Sequence, residues 1–160
     1  MPFRSRAVAL AVLALSAASA VASAEPARAS HFILLGQEEA GAAFADSAAM
    51  VRTGDVVVMP VMFVPTHPSS EAGAFDYGAA DVAYDCKGRT TRLLNGKVYT
   101  ARGVLIRNDA WADPATALNE RDKPQYSGFA LACGLPDAPT GPAFDTSRAA
   151  IDWLRTRRDL

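Results

Sequence analysis

The chain of 160 residues contains only two cysteines and two histidines, and this scarcity limits the chemistry it can carry. His31 and His67 are far apart, and no cysteine or histidine pair has the spacing of metal ligands, so no metal site is expected. One histidine among scattered serines and aspartates does not define a catalytic base. A glycine-rich phosphate-binding motif is also missing. The sequence therefore predicts no cofactor and no catalytic residues, with an enzyme as the less favoured alternative.

An excess of charge of one sign is lacking too. Sixteen lysines and arginines stand against 17 aspartates and glutamates, which gives a formal net charge of −1. A protein without a basic excess has no electrostatic footprint for nucleic acid. Asp76 and Asp81 in the segment DYGAAD lie five residues apart, and we expect them to be solvated turn carboxylates rather than calcium ligands.

Long hydrophobic runs are missing outside the N-terminus. Residues 1–24 carry Arg4 and Arg6, then the apolar core AVALAVLAL, then the small residues ASA, which is the pattern of a secretory signal peptide cleaved after Ala24. The core is much shorter than the ~20 apolar residues of a membrane-spanning helix, which disfavours the alternative of an anchor. Glu25, not cysteine, comes directly after the cleavage site, so no lipid attachment is expected. The sequence predicts a periplasmic or secreted protein.

The predicted export also bears on the two cysteines. Cleavage would leave 136 residues with 14 basic and 17 acidic side chains, a size usual for one domain. Two cysteines in an oxidising compartment are expected to pair, so Cys86 and Cys133 are predicted to form a disulfide. Two free buried thiols are the alternative. The chain-entropy model gives such a bridge a stabilisation of ~4 kcal/mol.

Short apolar runs separated by turn residues predict an α+β fold with an antiparallel sheet of about five to six strands. Segments 32–35 and 43–45 form a hairpin bracketed by Gly36 and Gly41. The run 56–64 is a buried strand with a bulge or an edge position at Pro60. Residues 65–78 form a surface loop. Alternation in 82–87 then places Val82, Tyr84 and Cys86 on the core side of the next strand.

Asn95-Gly96 is a strong hairpin signal, and it predicts a two-residue turn between 90–94 and 97–107. Pro124 and Gly134 then punctuate a short helix. Tyr126, Phe129, Ala130 and Cys133 recur at helical spacing, so this stripe should pack on the sheet. Residues 135–160 are predicted to be a linker and a C-terminal amphipathic helix, capped by Thr146 or Ser147, with an apolar stripe formed by Ala150, Ile151 and Leu154.

Basic residues cluster along the predicted hairpin beside Cys86. We interpret them as a possible docking surface for an acidic partner. A solvated sheet face with protective charges is the favoured alternative. The residues of this predicted basic surface are Lys87, Arg89, Arg92, Arg102 and Arg107.

The order of FADSAAMVRTGDVVVMPVMFV, YDCKGRTTRLL, VYTARGVLI, Trp111 and FALACG resembles the surface-adhesin protein E family. The resemblance covers roughly residues 31–134, within a predicted domain spanning 30–134. Phe32 stands where the family usually has tryptophan, and Ala49-Met50 replaces its Ser-Ile step. The family implies an antiparallel sheet, a packed helix and one Cys–Cys bridge. The matching residues are Asp46, Arg52, Gly54, Val56, Cys86, Lys87, Arg89, Tyr99, Gly103, Trp111 and Cys133.

Taken together, these patterns predict an exported, non-enzymatic binding protein with an adhesin-like scaffold. Its partner would be a protein or an envelope component, and no membrane span is expected after signal cleavage. The alternative is a periplasmic inhibitor of a hydrolase that uses the exposed loop 65–80. The absence of a lipobox cysteine departs from the lipoprotein adhesin that gives the family its name, so display on the outer membrane is not expected.

Overall fold

The computed structural model describes residues 29–67, 76–100, 102–111 and 113–157. The predicted signal peptide and residues 68–75 of the predicted loop 65–80 lie outside the described residues. Residues 77–80 belong to a strand, so the loop was predicted too long at that end. Within these residues there are ten strands, one 3-10 helix at Ser47–Ala49 and two α-helices. Their bounds are β1 Phe32–Glu38, β2 Gly41–Asp46, β3 Val51–Thr53, β4 Val56–Pro65, β5 Tyr77–Asp85, β6 Thr90–Leu93, β7 Asn95–Tyr99, β8 Leu105–Ala110, β9 Thr116–Ala117, α1 Lys123–Cys133, β10 Ala143–Phe144 and α2 Ser147–Thr156.

All strands belong to one antiparallel sheet with the order β10-β1-β2-β4-β5-β6-β9. Strand β3 pairs with β4, while β7 pairs with both β5 and β8. The predicted fold class is confirmed at this level, but the number of strands was wrong. Strands β3, β9 and β10 have only two or three residues, and such short pairings leave no periodic pattern in a sequence.

The predicted turn at Asn95-Gly96 was also wrong. Strands β6 and β7 run in the same direction and both pair with β5, so the chain continues through Asn95 instead of reversing. The Leu94 N–H donates to the Asp81 carbonyl at 2.9 Å. The reversal lies between β7 and β8, where Gly103 has φ +77° and the Thr100 N–H donates to the Val104 carbonyl. Pairing with β5 has overridden the local turn preference.

Pro60 lies in the middle of β4, and the sheet accommodates it without a bulge. The register between β4 and β5 is continuous through the Pro60–Asp81 pair. On the other side of β4, pairing with β2 ends at Val61 and pairing with β3 begins at Val58. Pro60 therefore occupies a local edge position, one of the two predicted alternatives. On that side no strand lies opposite it, so the missing N–H costs no hydrogen bond between strands.

Side chains alternate between the two faces of the sheet, and one helix packs on each face. We call the face under α1 face 1; its core includes Leu35, Val57, Met59, Tyr84 and Phe129. The opposite face, face 2, lies under α2, and its core includes Phe44, Met62, Val64, Ile151 and Leu154. Strand β10 pairs with β1, so the chain from 135 to 157 packs on the same sheet as the predicted domain 30–134.

Helix α1 carries the cysteine that ties it to the sheet. The Asp122 side chain caps its first turn, Pro124 lies within that turn, and Gly134 ends it with φ +68°. Its buried side is formed by Gly128, Phe129, Ala130 and Ala132. Tyr126, predicted to lie on that side, instead donates its hydroxyl to Asp137 at 2.7 Å. The predicted bridge between Cys86 and Cys133 is present, with 5.5 Å between the two Cα atoms.

Candidate binding surface

Face 1 of the sheet is covered along only part of its length. Val57 and Met59 of β4 are buried beneath α1, but Phe63, on the same face of the same strand, is 44% exposed. The lengths explain this: eleven helical residues extend about 17 Å, whereas ten strand residues extend about 33 Å. The helix is therefore too short to cover β4 even if it lay along the strand, and an apolar half of face 1 remains open.

This open half contains a cleft of about 310 Å³, which we call the apolar cleft. Its floor is made of backbone and small residues, including Gly78, Ala80 and Gly96, and its sides are formed by Phe63 and Trp111. Clefts that bind small apolar groups have volumes of this order. The full lining is Val61, Phe63, Gly78, Ala79, Ala80, Val82, Leu93, Gly96, Lys97, Val98, Arg107, Asp109 and Trp111.

Trp111 owes its position to Gly96. A Cβ atom at residue 96 would collide with the indole ring of Trp111, so only glycine lets the ring rest on β7. The Trp111 N–H donates to the Leu94 carbonyl at 3.2 Å, which fixes the backbone beside the ring. The Trp111 side chain remains 39% exposed and forms one side of the apolar cleft. Asn95-Gly96 thus serves the cleft rather than a turn.

A second cleft of about 330 Å³ continues the first toward α1. The two share Val61, Val82 and Leu93 as common lining. The second cleft is more polar, since it reaches Asp122, which caps α1, and Gln125 in the first turn of α1. There the Gln125 amide donates to the Thr91 hydroxyl at 3.2 Å. Together the two clefts form one groove along face 1, apolar at the Trp111 end and polar at the helix end.

The predicted basic surface is not gathered in one place. Lys87 and Arg89 lie in the turn after β5, while Arg102 lies in the turn between β7 and β8, at the opposite end of β5. Arg92 is exposed on β6 opposite Ala83, and Arg107 on β8 lies opposite Val98. Of the five, Arg107 lines the apolar cleft and Arg92 borders the second cleft.

Two of these arginines are neutralised by neighbours. Arg89 forms an ion pair with Glu120 at 2.5 Å, and its guanidinium lies 5.4 Å from the centre of the Phe129 ring. Arg107 pairs with Asp109 of the same strand at 2.6 Å. Both pairs are exposed and contribute little to stability. The structure therefore separates the five residues and gives two of them acidic partners within the chain.

Of the residues considered for catalysis or metal binding, His31 and Asp76 have partners within the chain. His31 Nδ1 lies 3.0 Å from the Ser47 hydroxyl, but Asp46 accepts from the backbone N–H groups of His31 and Ala48 and does not orient the imidazole. Asp76 pairs with Arg155 at 2.6 Å and lies half-buried, so the expectation of a solvated carboxylate was wrong there. His67 is exposed.

Asp81 was predicted to lie in a loop, and the structure places it on β5, where its backbone N–H is bound by the Asn95 side chain at 3.1 Å. Among the described residues, no group of three histidines, cysteines or acidic side chains is placed to hold a metal ion. In the same part of the chain no helix has the length and apolarity to cross a bilayer.

Sequence reasoning missed the groove as a feature. One signal was available: β4 reads VVVMPVMFV, which is apolar on both faces and therefore requires cover on both. Comparison with known proteins found no matching family model, no matching curated protein and no matching solved structure.

Proposed function

We propose that this chain is an exported, non-enzymatic binding protein whose ligand lies in the apolar cleft of face 1. The observation that carries the proposal is the open half of the sheet, where Phe63, Leu93 and Trp111 expose large apolar side chains around one concavity. Contiguous exposed apolar surface with a polar border is characteristic of interaction sites. The partner is a protein or an envelope component that presents an apolar group.

Export is supported by the disulfide and by the signal-peptide pattern of residues 1–24. A bridge between Cys86 and Cys133 forms and persists in an oxidising compartment. We expect the protein recovered from the periplasm or the medium to begin at Glu25, which N-terminal sequencing measures. Recovery of intact Met1, or of the protein only in detergent fractions, contradicts export by cleavage.

A relationship to the surface-adhesin protein E family belongs to the same proposal. What supports it is an antiparallel sheet with a helix tied to it by a disulfide, together with the motif order in the sequence. Trp111, one of the residues that carry the resemblance, forms a wall of the apolar cleft. The proposed role is therefore adhesin-like binding.

The cleft is tested by replacing its exposed apolar side chains. We expect Phe63→Ser and Trp111→Ser each to abolish capture of the ligand from periplasmic and envelope extracts by the immobilised protein. Val51→Ser is the matched control: Val51 is apolar and more exposed than either cleft residue, but it lies on β3 opposite Val58, outside the cleft. Far-UV circular dichroism establishes that all three variants remain folded. Equal capture by the parent and both cleft variants contradicts the proposal.

The same experiment separates the alternatives. Recovery of a single hydrolase whose activity the protein suppresses would favour an inhibitor, whereas recovery of membrane or matrix components favours envelope binding. Turnover in a broad hydrolase screen that His31→Ala and Ser47→Ala abolish would favour an enzyme, since these two side chains are in contact.

A further inference from the structure

Strand β8 is an edge of the sheet with an apolar start. Within the described ranges it pairs with β7 alone, and it has six residues, whereas the two-residue edge strands β9 and β10 offer little to pair with. Leu105 is 50% exposed and Ile106 is 44% exposed. An edge of this length presents unpaired backbone groups that can continue the sheet into another chain.

The hydrogen-bonding direction along β8 follows from one contact. The Trp111 N–H donates to the Leu94 carbonyl, so the backbone groups of Trp111 point toward the neighbouring strand. Along an antiparallel strand, the backbone N–H and carbonyl groups of successive residues point alternately to the two neighbouring sides. The register is continuous through the pairs Gly96–Asp109 and Val98–Arg107, so the backbone groups of Asp109 and Arg107 also point toward β7. The N–H and carbonyl groups of Asn108 and Ala110 therefore point outward, away from β7.

This phase allows few registers for a second copy of β8. In an antiparallel pair about a two-fold axis, residues whose backbone groups point outward must lie opposite each other. The central register therefore sets Asn108 of one copy opposite Asn108 of the other. The alternative registers slide one copy by two residues in either direction. With Asn108 at the axis, Arg107 lies opposite Asp109 of the other copy and Asp109 lies opposite its Arg107. Moving the register one way sets Arg107 against Arg107, and moving it the other way sets Asp109 against Asp109.

We propose that β8 pairs antiparallel with β8 of a second copy of this chain, about a two-fold axis at Asn108. Opposite charges directly across two strands stabilise the pair, and like charges destabilise it, so the charge order of Leu105–Ala110 selects this register. The register shift at Ile106 limits the paired segment to residues 106–110. The interface is isologous, which is the usual symmetry of a dimer.

The geometry has a consequence for binding. A two-fold axis between antiparallel neighbours stands perpendicular to the sheet, so face 1 of both copies lies on the same side. Arg107 and Asp109 line the apolar cleft and also lie in the interface, so the two clefts adjoin across it. The dimer would present two apolar clefts on one continuous sheet, and a ligand with two apolar groups would gain avidity.

The test uses charge reversal. In a dimer of Arg107→Asp chains, the acidic residues 107 and 109 of each copy lie opposite the acidic residues 109 and 107 of the other. In a dimer of Asp109→Arg chains, all four of these residues are basic. We expect each single variant to self-associate roughly tenfold or more weakly than the parent in sedimentation equilibrium. Mixed in equal amounts, the two variants should form a heterodimer, because every facing pair is then oppositely charged.

Two further variants keep the test decisive. The double variant Arg107→Asp with Asp109→Arg restores opposite charges and should self-associate like the parent. Arg92→Asp changes an exposed charge on β6 and should have no effect. A parent that remains monomeric at about 1 mM overturns the proposal. A dimer that ignores the charges at residues 107 and 109, or single variants that do not combine, overturns it equally.

Discussion

Removal of the disulfide is the perturbation whose magnitude the structure defines best. Cys86 directly follows β5 and Cys133 is the last residue of α1, so the bridge ties the helix to the sheet across a sequence separation of 47 residues. In the chain-entropy model, a loop of this length stabilises the folded state by about 4 kcal/mol, because the bridge restricts the unfolded chain. The change is the double variant Cys86→Ala, Cys133→Ala.

The helix should remain docked without the bridge. Phe129 is almost completely buried against face 1, and the Arg52 guanidinium donates to the Ala132 carbonyl at 2.7 Å. Since domains are stable by about 5–15 kcal/mol, a loss of about 4 kcal/mol leaves the variant folded but much less stable. Neither cysteine lines the apolar cleft, so ligand binding should survive at low temperature.

Urea unfolding measures the loss. With a slope of about 1–3 kcal/mol/M, the midpoint should fall by roughly 1.3–4 M. Dithiothreitol provides the matched control, because it should lower the midpoint of the parent to that of the double variant and leave the variant unchanged. A double variant within about 1 kcal/mol of the oxidised parent refutes the entropic reasoning. Two reactive thiols in the denatured, non-reduced parent would refute the bridge itself.

Two other predictions follow from buried contacts. Gly96→Val should destabilise the fold by about 1–3 kcal/mol, because the valine side chain collides with the Trp111 ring. Most of this loss should disappear in a Trp111→Ala background. Equal melting temperatures of Gly96→Val and the parent contradict this prediction. Burial raises the pKa of Tyr84 above its usual 10.0. The contribution of Tyr84 to stability is complete below the pKa of tyrosine in the unfolded chain and is lost as pH rises toward its pKa in the folded protein. The free energy of unfolding should consequently fall above about pH 10. Tyr84→Phe should flatten that fall, and an unchanged slope would show that Tyr84 is not its source.

Local signals in the sequence predicted the parts of the fold that local sterics control. Gly134 ends α1 in the left-handed conformation, which is the one a helix-terminating glycine adopts most readily. The hairpin between β1 and β2 turns at residues 39–40, between the two glycines that bracket it. Thr146 caps α2 by accepting from the Ala149 N–H. Each of these depends on a few neighbouring residues, so a single sequence suffices.

The basic surface was less predictable, because its geometry depends on register. Strand β6 pairs Val82 with Leu93, but β7 pairs Ala79 with Lys97, so one extra residue lies between them at Leu94. A shift of one residue exchanges the faces of every residue that follows. Nothing local to the hairpin sequence reveals that shift, because it arises where β6 and β7 share β5 as a partner.

The sequence by itself determined the antiparallel α+β class, the positions of both helices and the pairing of the two cysteines, since alternation, capping residues and the number of thiols are properties of the chain alone. Only the tertiary structure decided that Asn95-Gly96 lies within paired strands, that Gly96 makes room for Trp111, and that α1 leaves half of face 1 open. These features depend on which strands meet and on how far a helix reaches across them. Contacts between distant residues set both, and those contacts have no local signature.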